Sequence, residues 1–333
     1  IGRFNGGDIN NDVAGCAVIT GFGEVYGRKV AVYAQDFSVR GGTLGKAEGE
    51  KICHLLDMAV ALRVPVVAVI DSGGARIQEG VSALMQYGRI FKKTCEASGL
   101  IPQISLILGP CAGGAVYCPA LTDFIIMTRE HSNMFVTGPD VVKAATGEAI
   151  SMDDLGGGLV HNATSGVAHY LGEDEADAID YARTILAYLP SSCEVDPPTF
   201  AYAATRADRE TARELASIVP DNDRQPYDVL DVIRRIVDYG EFVQVQELYA
   251  ASAVVGFACI EGHPVGIVAN QPKVNAGILD VNSSEKVARF VRLCDAFNLP
   301  VVTLVDTPGY KPGSDQEHAG IIRRGAKVIY AYA

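Results

Sequence analysis

The run Gly109-Pro110-Cys111-Ala112-Gly113-Gly114-Ala115-Val116-Tyr117 has the residue types best suited to chemistry in this chain. It follows an apolar stretch, Gln103 to Leu108, that reads as a strand, and it leads into a helix expected from near Ala115. A strand–turn–helix junction points backbone N–H groups outward beside the positive end of a helix dipole. Such donors stabilise a carbonyl oxygen that gathers negative charge, which is the work of an oxyanion hole. Glycines let a substrate come close to that backbone, yet they equally suit tight helix–strand packing, and spacing alone does not separate the two. The same run fits G-x-S-x-G with Cys111 in the place of serine, a nucleophile elbow. A cysteine hydrolase would also need an acid and a histidine downstream; His131, His161 and His169 are candidates, and none sits in a distinctive motif.

Other motifs carry less. Asp306-Thr307-Pro308-Gly309 resembles the magnesium-side loop of a GTPase, but no G-x-x-x-x-G-K-[ST] phosphate loop accompanies it. The nearest approach, at Gly45-Lys46, has Arg40 where the first glycine belongs and Ala47 where Ser or Thr belongs. Arg40, Lys46, Arg76, Arg89, Lys92 and Lys93 could hold phosphates or could be solvated surface charge. Tyr310 is either a core aromatic or a ring lining a pocket. The six histidines show no metal spacing, and the eight cysteines include no close CxxC pair, which suits reduced thiols packed as small hydrophobes.

These residues are placed by a duplicated framework. Displaced by 235 positions, Gly27–Gly74 aligns without a gap on Gly262–Gly309, with 14 of 48 residues identical. Ile52, Leu55, Leu56, Ala59 and Leu62 make an apolar helix face, and Val287, Phe290, Val291, Cys294 and Phe297 repeat it. Each helix meets a proline (Pro65, Pro300) and then a β-branched run that reads as a strand buried on both faces. Each strand ends in Asp71 or Asp306 and a glycine turn, DSGGAR or DTPGY. Strand, helix, strand, turn and helix in each copy favour parallel pairing and an α/β fold. Between the copies, prolines, Asp and Asn cluster with one short helical stretch at 206–218. The expected organisation is a first domain over 1–190, a linker over 191–225 and a second domain over 226–333.

At 48% hydrophobic and 20% charged residues, 333 residues suffice for two soluble domains. The longest apolar stretches, Pro65 to Ile70 and Ile104 to Leu108, are far short of the ~20 residues a membrane helix needs. Ile1 to Asn10 lack a signal-peptide pattern, and the chain opens without Met, as a fragment would. A net charge of −12 with no basic stripe argues against nucleic acid, though not against a small anion held locally.

The segments AQDFSVRGGTLG (34–45), DSGGARIQEGV (71–81), GPCAGGAVY (109–117), MFVTGPDVVK (134–143), GIVANQPKV (266–274), DVNSSEK (280–286) and GIIRRGAK (320–327) resemble the carboxyltransferase (β) subunits of biotin-dependent acyl-CoA carboxylases, of the propionyl-CoA carboxylase type. The same signatures mark the carboxyltransferase subunit of methylmalonyl-CoA transcarboxylase. The resemblance covers nearly the whole chain and implies two crotonase-like domains. It implies transfer of CO2 from carboxybiotin to the α-carbon of a short acyl-CoA, with propionyl-CoA giving methylmalonyl-CoA. Two backbone oxyanion holes would serve, one for the thioester as it becomes an enolate and one for the ureido oxygen of biotin.

Carried over residue by residue, the resemblance gives Gly113 and Gly114 the acyl-CoA hole. Gly41, Gly42, Gly73, Gly74, Ala75, Arg76 and Ala112 would line the CoA side, and Pro308, Gly309 and Tyr310 would face biotin. Neither an ATP-grasp loop nor a Met-Lys-Met biotin acceptor is present, so biotin would be carried and carboxylated by partner biotin carboxylase and biotin carboxyl carrier subunits. The resemblance further implies a hexamer, no metal, and a cytoplasmic or mitochondrial-matrix location. The zinc-ribbon variant of such subunits is excluded by the missing CxxC pairs. Thirty-five positions separate Gly74 from Gly109, whereas 24 follow Gly309, so the second copy's hole is expected about eleven residues past Ala333. Two alternatives stand beside transfer: a non-catalytic duplicate that binds acyl-CoA as a scaffold, and the Cys111 hydrolase.

Overall fold

The computed structural model describes residues 15–204, 211, 213–222 and 225–333. The first ten residues, and most of the helical stretch expected at 206–218, lie outside the described residues; Leu215–Ser217 form a 3-10 turn. The chain divides into two compact units, one ending at Leu186 and taking Ser191–Glu194, the other taking Ala187–Pro190 and Val195–Ala333.

Unit 1 contains strands β1 (Val18–Val25), β2 (Arg28–Gln35), β3 (Val66–Ser72), β4 (Gln103–Ala112), β5 (Phe124–Thr128), β6 (Asn133–Phe135) and β7 (Tyr170–Gly172). Its helices are α1 (Lys46–Leu62), α2 (Val81–Ala97), α3 (Tyr117–Ala120), α4 (Pro139–Thr146), α5 (Met152–Gly156) and α6 (Gly158–Ala163), with α7 (Glu175–Tyr188) following β7. The sheet order is β1-β2-β3-β4-β5-β7, with β6 also on β4, and every pairing except β1–β2 is parallel. Parallel strands need crossovers, and the helices that provide them cover the sheet and bury it. Thus β3 and β4 are apolar nearly throughout.

Unit 2 contains α8 (Val229–Ile236), β8 (Val243–Val245), β9 (Ala253–Ile260), β10 (His263–Asn270), α9 (Val281–Ala296), β11 (Val301–Leu304), α10 (Ser314–His318) and α11 (Ile321–Tyr332), with sheet order β11-β10-β9-β8. The displacement of 235 seen in the sequence holds in three dimensions. The β1–β2 hairpin turns at Tyr26 (φ 50°) and Gly27 (φ 73°), and the β9–β10 hairpin at Glu261 (φ 52°) and Gly262 (φ 78°). Both residues of a two-residue hairpin take positive φ because that backbone matches the twist of the strands. The bridge Leu44–Ala75 in unit 1 recurs as Leu279–Tyr310 in unit 2.

Two expectations require correction. Leu62 does not join the buried face of α1, being 55% exposed, because the helix stops there and Arg63 turns into the left-handed region at φ 55°. The strand at 301–304 is half-buried among the described residues, where it pairs with β10 alone, whereas β3 lies between β2 and β4; the counterpart of β4 would fall past Ala333. Among the described residues no helix is long and apolar enough to cross a membrane, and no group of three His, Cys, Asp or Glu side chains is placed to hold a metal.

One buried charge in unit 2 has a measurable consequence. Lys286, 2% exposed, donates from Nζ to the carbonyls of Gln246 (2.8 Å) and Tyr249 (2.7 Å) and so stitches a turn whose Gln246 and Ala250 have φ of 52° and 46°. Its counterpart Lys51 likewise donates to Val18 O, at 2.6 Å. Burial lowers the Lys286 ammonium to about 7, with only Glu247 opposing. A lysine whose folded value lies below its unfolded value penalises folding while protonated, and the penalty fades as pH rises between the two values. Denaturant unfolding at pH 7, 8 and 9 is therefore expected to show wild type gaining about 1 kcal/mol per pH unit relative to Lys286→Met. Parallel pH profiles for the two proteins would show that Lys286 keeps its proton.

Candidate functional site

Nine of the residues singled out from the sequence converge at the carboxyl ends of β2, β3 and β4, where ligands bind in parallel α/β sheets. The first turn follows β2: Arg40, Gly41 and Gly42 take φ of 54°, 64° and 61°. The second follows β3, and the two are laced by hydrogen bonds. Gly73 N–H donates to Gly41 O, Leu44 N–H to Gly74 O and Arg76 N–H to Leu44 O, each at 2.9 Å. The Ser72 hydroxyl donates to Gly42 O at 2.8 Å and accepts from Gly74 N–H at 3.1 Å. A Cβ on Gly42 would collide with the Asp71 carbonyl, and one on Gly74 would stand 2.7 Å from the Ala112 carbonyl of the third turn. Buried Gly42 and Gly74 are thus packing hinges, while Gly41, Gly73, Ala75, Ala112, Gly113 and Gly114 reach the surface around them.

The third turn departs from the expected geometry. Strand β4 continues through Gly109-Pro110-Cys111 to Ala112; Gly113–Val116 is a 3-10 turn, and the α-helix that follows has only four residues. The strand extends because Pro110, Cys111 and Ala112 pair with Asn133, Met134 and Phe135 of β6. A helix macrodipole therefore contributes little, and the polar resource is the backbone itself, since the first N–H groups of a helical turn have no acceptor within it. Gly113 has φ 62°, and a Cβ there would meet nothing closer than Val136 O at 4.0 Å. Glycine is needed at 113 for its backbone angle, and the space in front of it is open. Gly114 instead rests on the ring of Tyr87, 3.4 Å from where its Cβ would be.

Arg76 is placed otherwise than a phosphate ligand would be. It is 2% exposed, with its guanidinium on Glu48 at 2.7 Å, Glu79 at 2.8 Å and the Thr43 carbonyl at 2.7 Å. Its charge is engaged inside the protein, and Arg76 joins the turn through its backbone N–H to Leu44 O. Asp71 occupies a bulge between β3 and β4, in space that Gly109 leaves by lacking a Cβ. Burial, then the charges of Asp36 and Glu175, push its carboxyl up. Cys111 is fully buried in the core, and burial drives its thiol far above the range in which a thiolate forms near neutrality. The histidines expected to assist it are engaged elsewhere. His169 Nδ1 accepts from Ile125 N–H, His161 lies between Met134 O (2.7 Å) and Ser165 Oγ (2.8 Å), and His131 is exposed beside Glu130.

Unit 2 repeats part of the lacing of the first two turns, although Thr307 Oγ1 donates to Gly309 O where Ser72 Oγ donates across to Gly42 O. Leu279 N–H donates to Gly309 O at 3.0 Å, Lys311 N–H to Leu279 O at 2.8 Å, and Gly309 N–H to Thr307 Oγ1 at 3.1 Å. Gly41 and Gly73, however, are replaced by Ala276 and Pro308, and proline has no N–H for the bond that joins the turns in unit 1. Here there is a pocket of about 530 Å3, lined among others by Pro220, Pro226, Tyr227, Ala276, Thr307 and Pro308. The Tyr227 hydroxyl donates to Asp306 Oδ2 at 2.9 Å. Gly309 and Tyr310 follow Pro308 in the chain; Tyr310 is 45% exposed and packs over Gly325 of α11, so it is not a core aromatic, and the residues that line this pocket stop at Pro308.

Ser72, Thr307 and Tyr87 were not singled out in the sequence. A signal existed for the first two, which are both hydroxyls at one position of the repeat, but counting identities passes over Ser against Thr. Tyr87 looks like any core aromatic on a helix until Gly114 is seen to lie on it.

The chain matches the family model described as carboxyl transferase domain over residues 3–333. It is 54% identical over 319 residues to the propionyl-CoA carboxylase carboxyltransferase subunit of Haloferax mediterranei, covering 96% of this chain and 61% of that protein. It is 51% identical to methylmalonyl-CoA decarboxylase subunit alpha of Veillonella parvula, covering 99% and 64%. The crystal structure of transcarboxylase 12S with methylmalonyl-coenzyme A and methylmalonic acid bound superposes with a TM-score of 0.91 at 46% identity, covering 95% of this chain and 61% of that one. The chain thus spans about three fifths of the length of such relatives. With an α/β, crotonase-like fold in common with those structures and a family match across its length, the chain belongs to the carboxyl transferase domain family.

Proposed function

We propose that the chain carries the acyl-CoA side of a carboxyltransferase site, in which CO2 passes between carboxybiotin and the α-carbon of a short acyl-CoA such as propionyl-CoA. The observation that carries this is the turn at Gly113–Gly114, open and of positive φ at Gly113, set beside the turns at 41–42 and 73–76 at the carboxyl ends of the strands. A thioester carbonyl lying on that turn would meet backbone N–H donors while the α-proton leaves, and enolate charge would gather where the donors point. Gly41, Gly73, Ala75 and Ala112 would let the CoA chain lie flat against the backbone, because none carries a side chain beyond a methyl group. Carboxybiotin, borne by a partner carrier subunit, would supply the CO2, and the ureido nitrogen freed as the N–CO2 bond breaks would take the α-proton. In unit 2 the proline-walled pocket at Pro308, with Gly309 and Tyr310 beside it, fits a compact uncharged ring, which favours it as the biotin side.

The partners that follow are biotin carboxylase and biotin carboxyl carrier subunits, with a homo-hexamer as the assembly and the cytoplasm or a mitochondrial matrix as the place. Two relatives support this reading: transcarboxylase 12S assembles as a hexamer, and the human propionyl-CoA carboxylase beta chain is mitochondrial. Domains at 1–190 and 226–333 with a linker at 191–225 are proposed as the two crotonase-like modules. The decarboxylase relative favours a second direction of flow, from methylmalonyl-CoA to the carrier, through the same turn. A cysteine hydrolase is disfavoured by the burial of Cys111.

The decisive assay follows labelled carboxylate from a carboxylated carrier protein to propionyl-CoA. Gly114→Val, at a position whose φ tolerates side chains, is expected to lower transfer at least about 100-fold, the cost of losing an oxyanion donor. Transfer at the wild-type rate in Gly114→Val would sink the assignment, and a wild-type protein that binds acyl-CoA without transferring would leave the scaffold. Cys111→Ala is expected to keep transfer within about twofold, since a buried neutral thiol takes no part. In the native protein iodoacetamide is expected to label exposed Cys95 and spare Cys111. Loss of transfer in Cys111→Ala, or ready labelling of Cys111, would restore the nucleophile.

A further inference from the structure

The turn at Gly113–Gly114 has its support in α2, at a residue the chemistry above does not use. Tyr87 is 4% exposed, and its ring lies flat under Gly114, with ring carbons 3.4 to 3.6 Å from where a Cβ would stand. Phe91, one helical turn on, holds that ring at a centroid distance of 5.9 Å and meets Tyr117, just past the Gly113–Val116 turn, edge-on at 6.3 Å. Helix α2 is itself fixed closely against α1, since a Cβ on Gly49 would collide with the side chain of Gln86. The ring under Gly114 is therefore carried by a helix with little room to shift.

The hydroxyl of Tyr87 faces the other two turns. It is buried close to Ser72 and makes no hydrogen bond among the described residues. Ser72 Oγ, which donates to Gly42 O and accepts from Gly74 N–H, keeps one lone pair for such a donor. The cavity lined by Tyr33, Gln35, Leu44, Tyr87 and Ala115 beneath the turns measures about 10 Å3. That is about the space one water needs and too little for an acyl chain. Tyr87 consequently supports the site from below without touching a substrate.

We propose that Tyr87 is a positioning residue of the acyl-CoA site: its ring sets Gly114, and its otherwise unpaired buried hydroxyl is the donor for the remaining lone pair of Ser72, so that the 113–114 turn stays in register with the 41–42 and 73–74 turns. This rests on the carboxyltransferase assignment for its consequence in catalysis, but not for its consequence in dynamics. The geometry needed at an oxyanion hole is fine, and a displacement of about 1 Å costs up to about 100-fold in rate.

The test uses Tyr87→Phe and Tyr87→Leu in the full-length protein with its biotin carrier partner. Tyr87→Phe is expected to lower kcat for transfer about tenfold with KM for propionyl-CoA within twofold, and Tyr87→Leu about 100-fold. Amide exchange at 113–116 and 41–44 is expected to quicken in Tyr87→Phe, while exchange across β9 stays as in wild type. A wild-type kcat in Tyr87→Phe overturns the role of the hydroxyl, and one in Tyr87→Leu that of the ring. A raised KM at unchanged kcat also overturns the proposal, because it makes Tyr87 a determinant of binding. If wild-type protein transfers no carboxylate, the functional assignment fails, and the exchange data alone judge Tyr87.

Discussion

The buried ion pair between Arg76 and Glu48 is the constraint on which the arrangement of unit 1 depends. Both side chains are nearly sealed from solvent, and buried charges are tolerable only when paired and hydrogen-bonded. The pairing is complete. Glu48 accepts Arg76 through both oxygens and also takes the N–H groups of Ala17 at 3.2 Å and Gly45 at 3.1 Å. Arg76 adds Glu79 and both oxygens of Thr43. Burial by itself would raise the Glu48 carboxyl, but the bonds from Arg76 and the backbone hold it below its ordinary value. One ion pair thereby ties the approach to β1, the turn after β2, the start of α1 and the turn after β3. Gly45 follows from it, because a Cβ there would lie 2.6 Å from Arg76 Nη1. Breaking such a pair leaves a lone buried charge and costs about 3–5 kcal/mol, so the turns it anchors are held in one register.

Unit 2 reaches the same backbone without that pair. Ser283 and Lys311 stand where Glu48 and Arg76 would be, and the start of α9 is fixed by a reciprocal cap. Ser283 N–H donates to the Asp280 carboxylate at 2.8 Å, and Asp280 N–H donates to Ser283 Oγ at 2.7 Å. The turn keeps its left-handed backbone on Asn275 and Ala276 where unit 1 has Arg40 and Gly41. The duplicated framework thus holds part of its hydrogen-bond lacing while two positions, 276 and 308, change what the crevice offers. With glycine at both, the turns bond to each other and present a flat backbone edge; with alanine and proline, the bond is lost and a walled pocket lies there.

This explains which parts of the molecule were legible in the sequence. Helix α1 and helix α9 announced themselves through Ile52, Leu55, Leu56 and Ala59 and their counterparts, because the burial of a helix face follows a local period. Leu62 broke the pattern at a helix end, which periodicity does not locate, and β11 broke it because exposure of a strand depends on how many neighbours it has. The glycines of the site were visible because positive φ and close approach leave few other choices. Arg76 was misjudged for the opposite reason: a charged residue on a loop resembles a phosphate ligand until its partners, 28 residues upstream and three downstream, are seen in space. Ser72 and Tyr87 stayed hidden because their roles are defined only by the turns they touch.

A site made of backbone places unusual demands on what lies behind it. A hydrolase can move its reactivity with one side chain, whereas the proposed donors are peptide N–H groups whose direction is set by φ and ψ. The thiols near the site, Cys111 and Cys118, are buried, and burial pushes both above the range of reactive thiolates. Orientation must then come from residues that never meet the substrate. Ser72 locks two turns to each other, Gly109 admits the Asp71 carboxyl and with it the bulge that advances the turn after β3, and the Arg76–Glu48 pair fixes the base of both. Enolate stabilisation as proposed for this turn would draw its strength from preorganised dipoles that need not move during reaction. The buried Arg76–Glu48 pair and the Ser72 hydroxyl beneath three nearly bare turns are the kind of support such preorganisation would need.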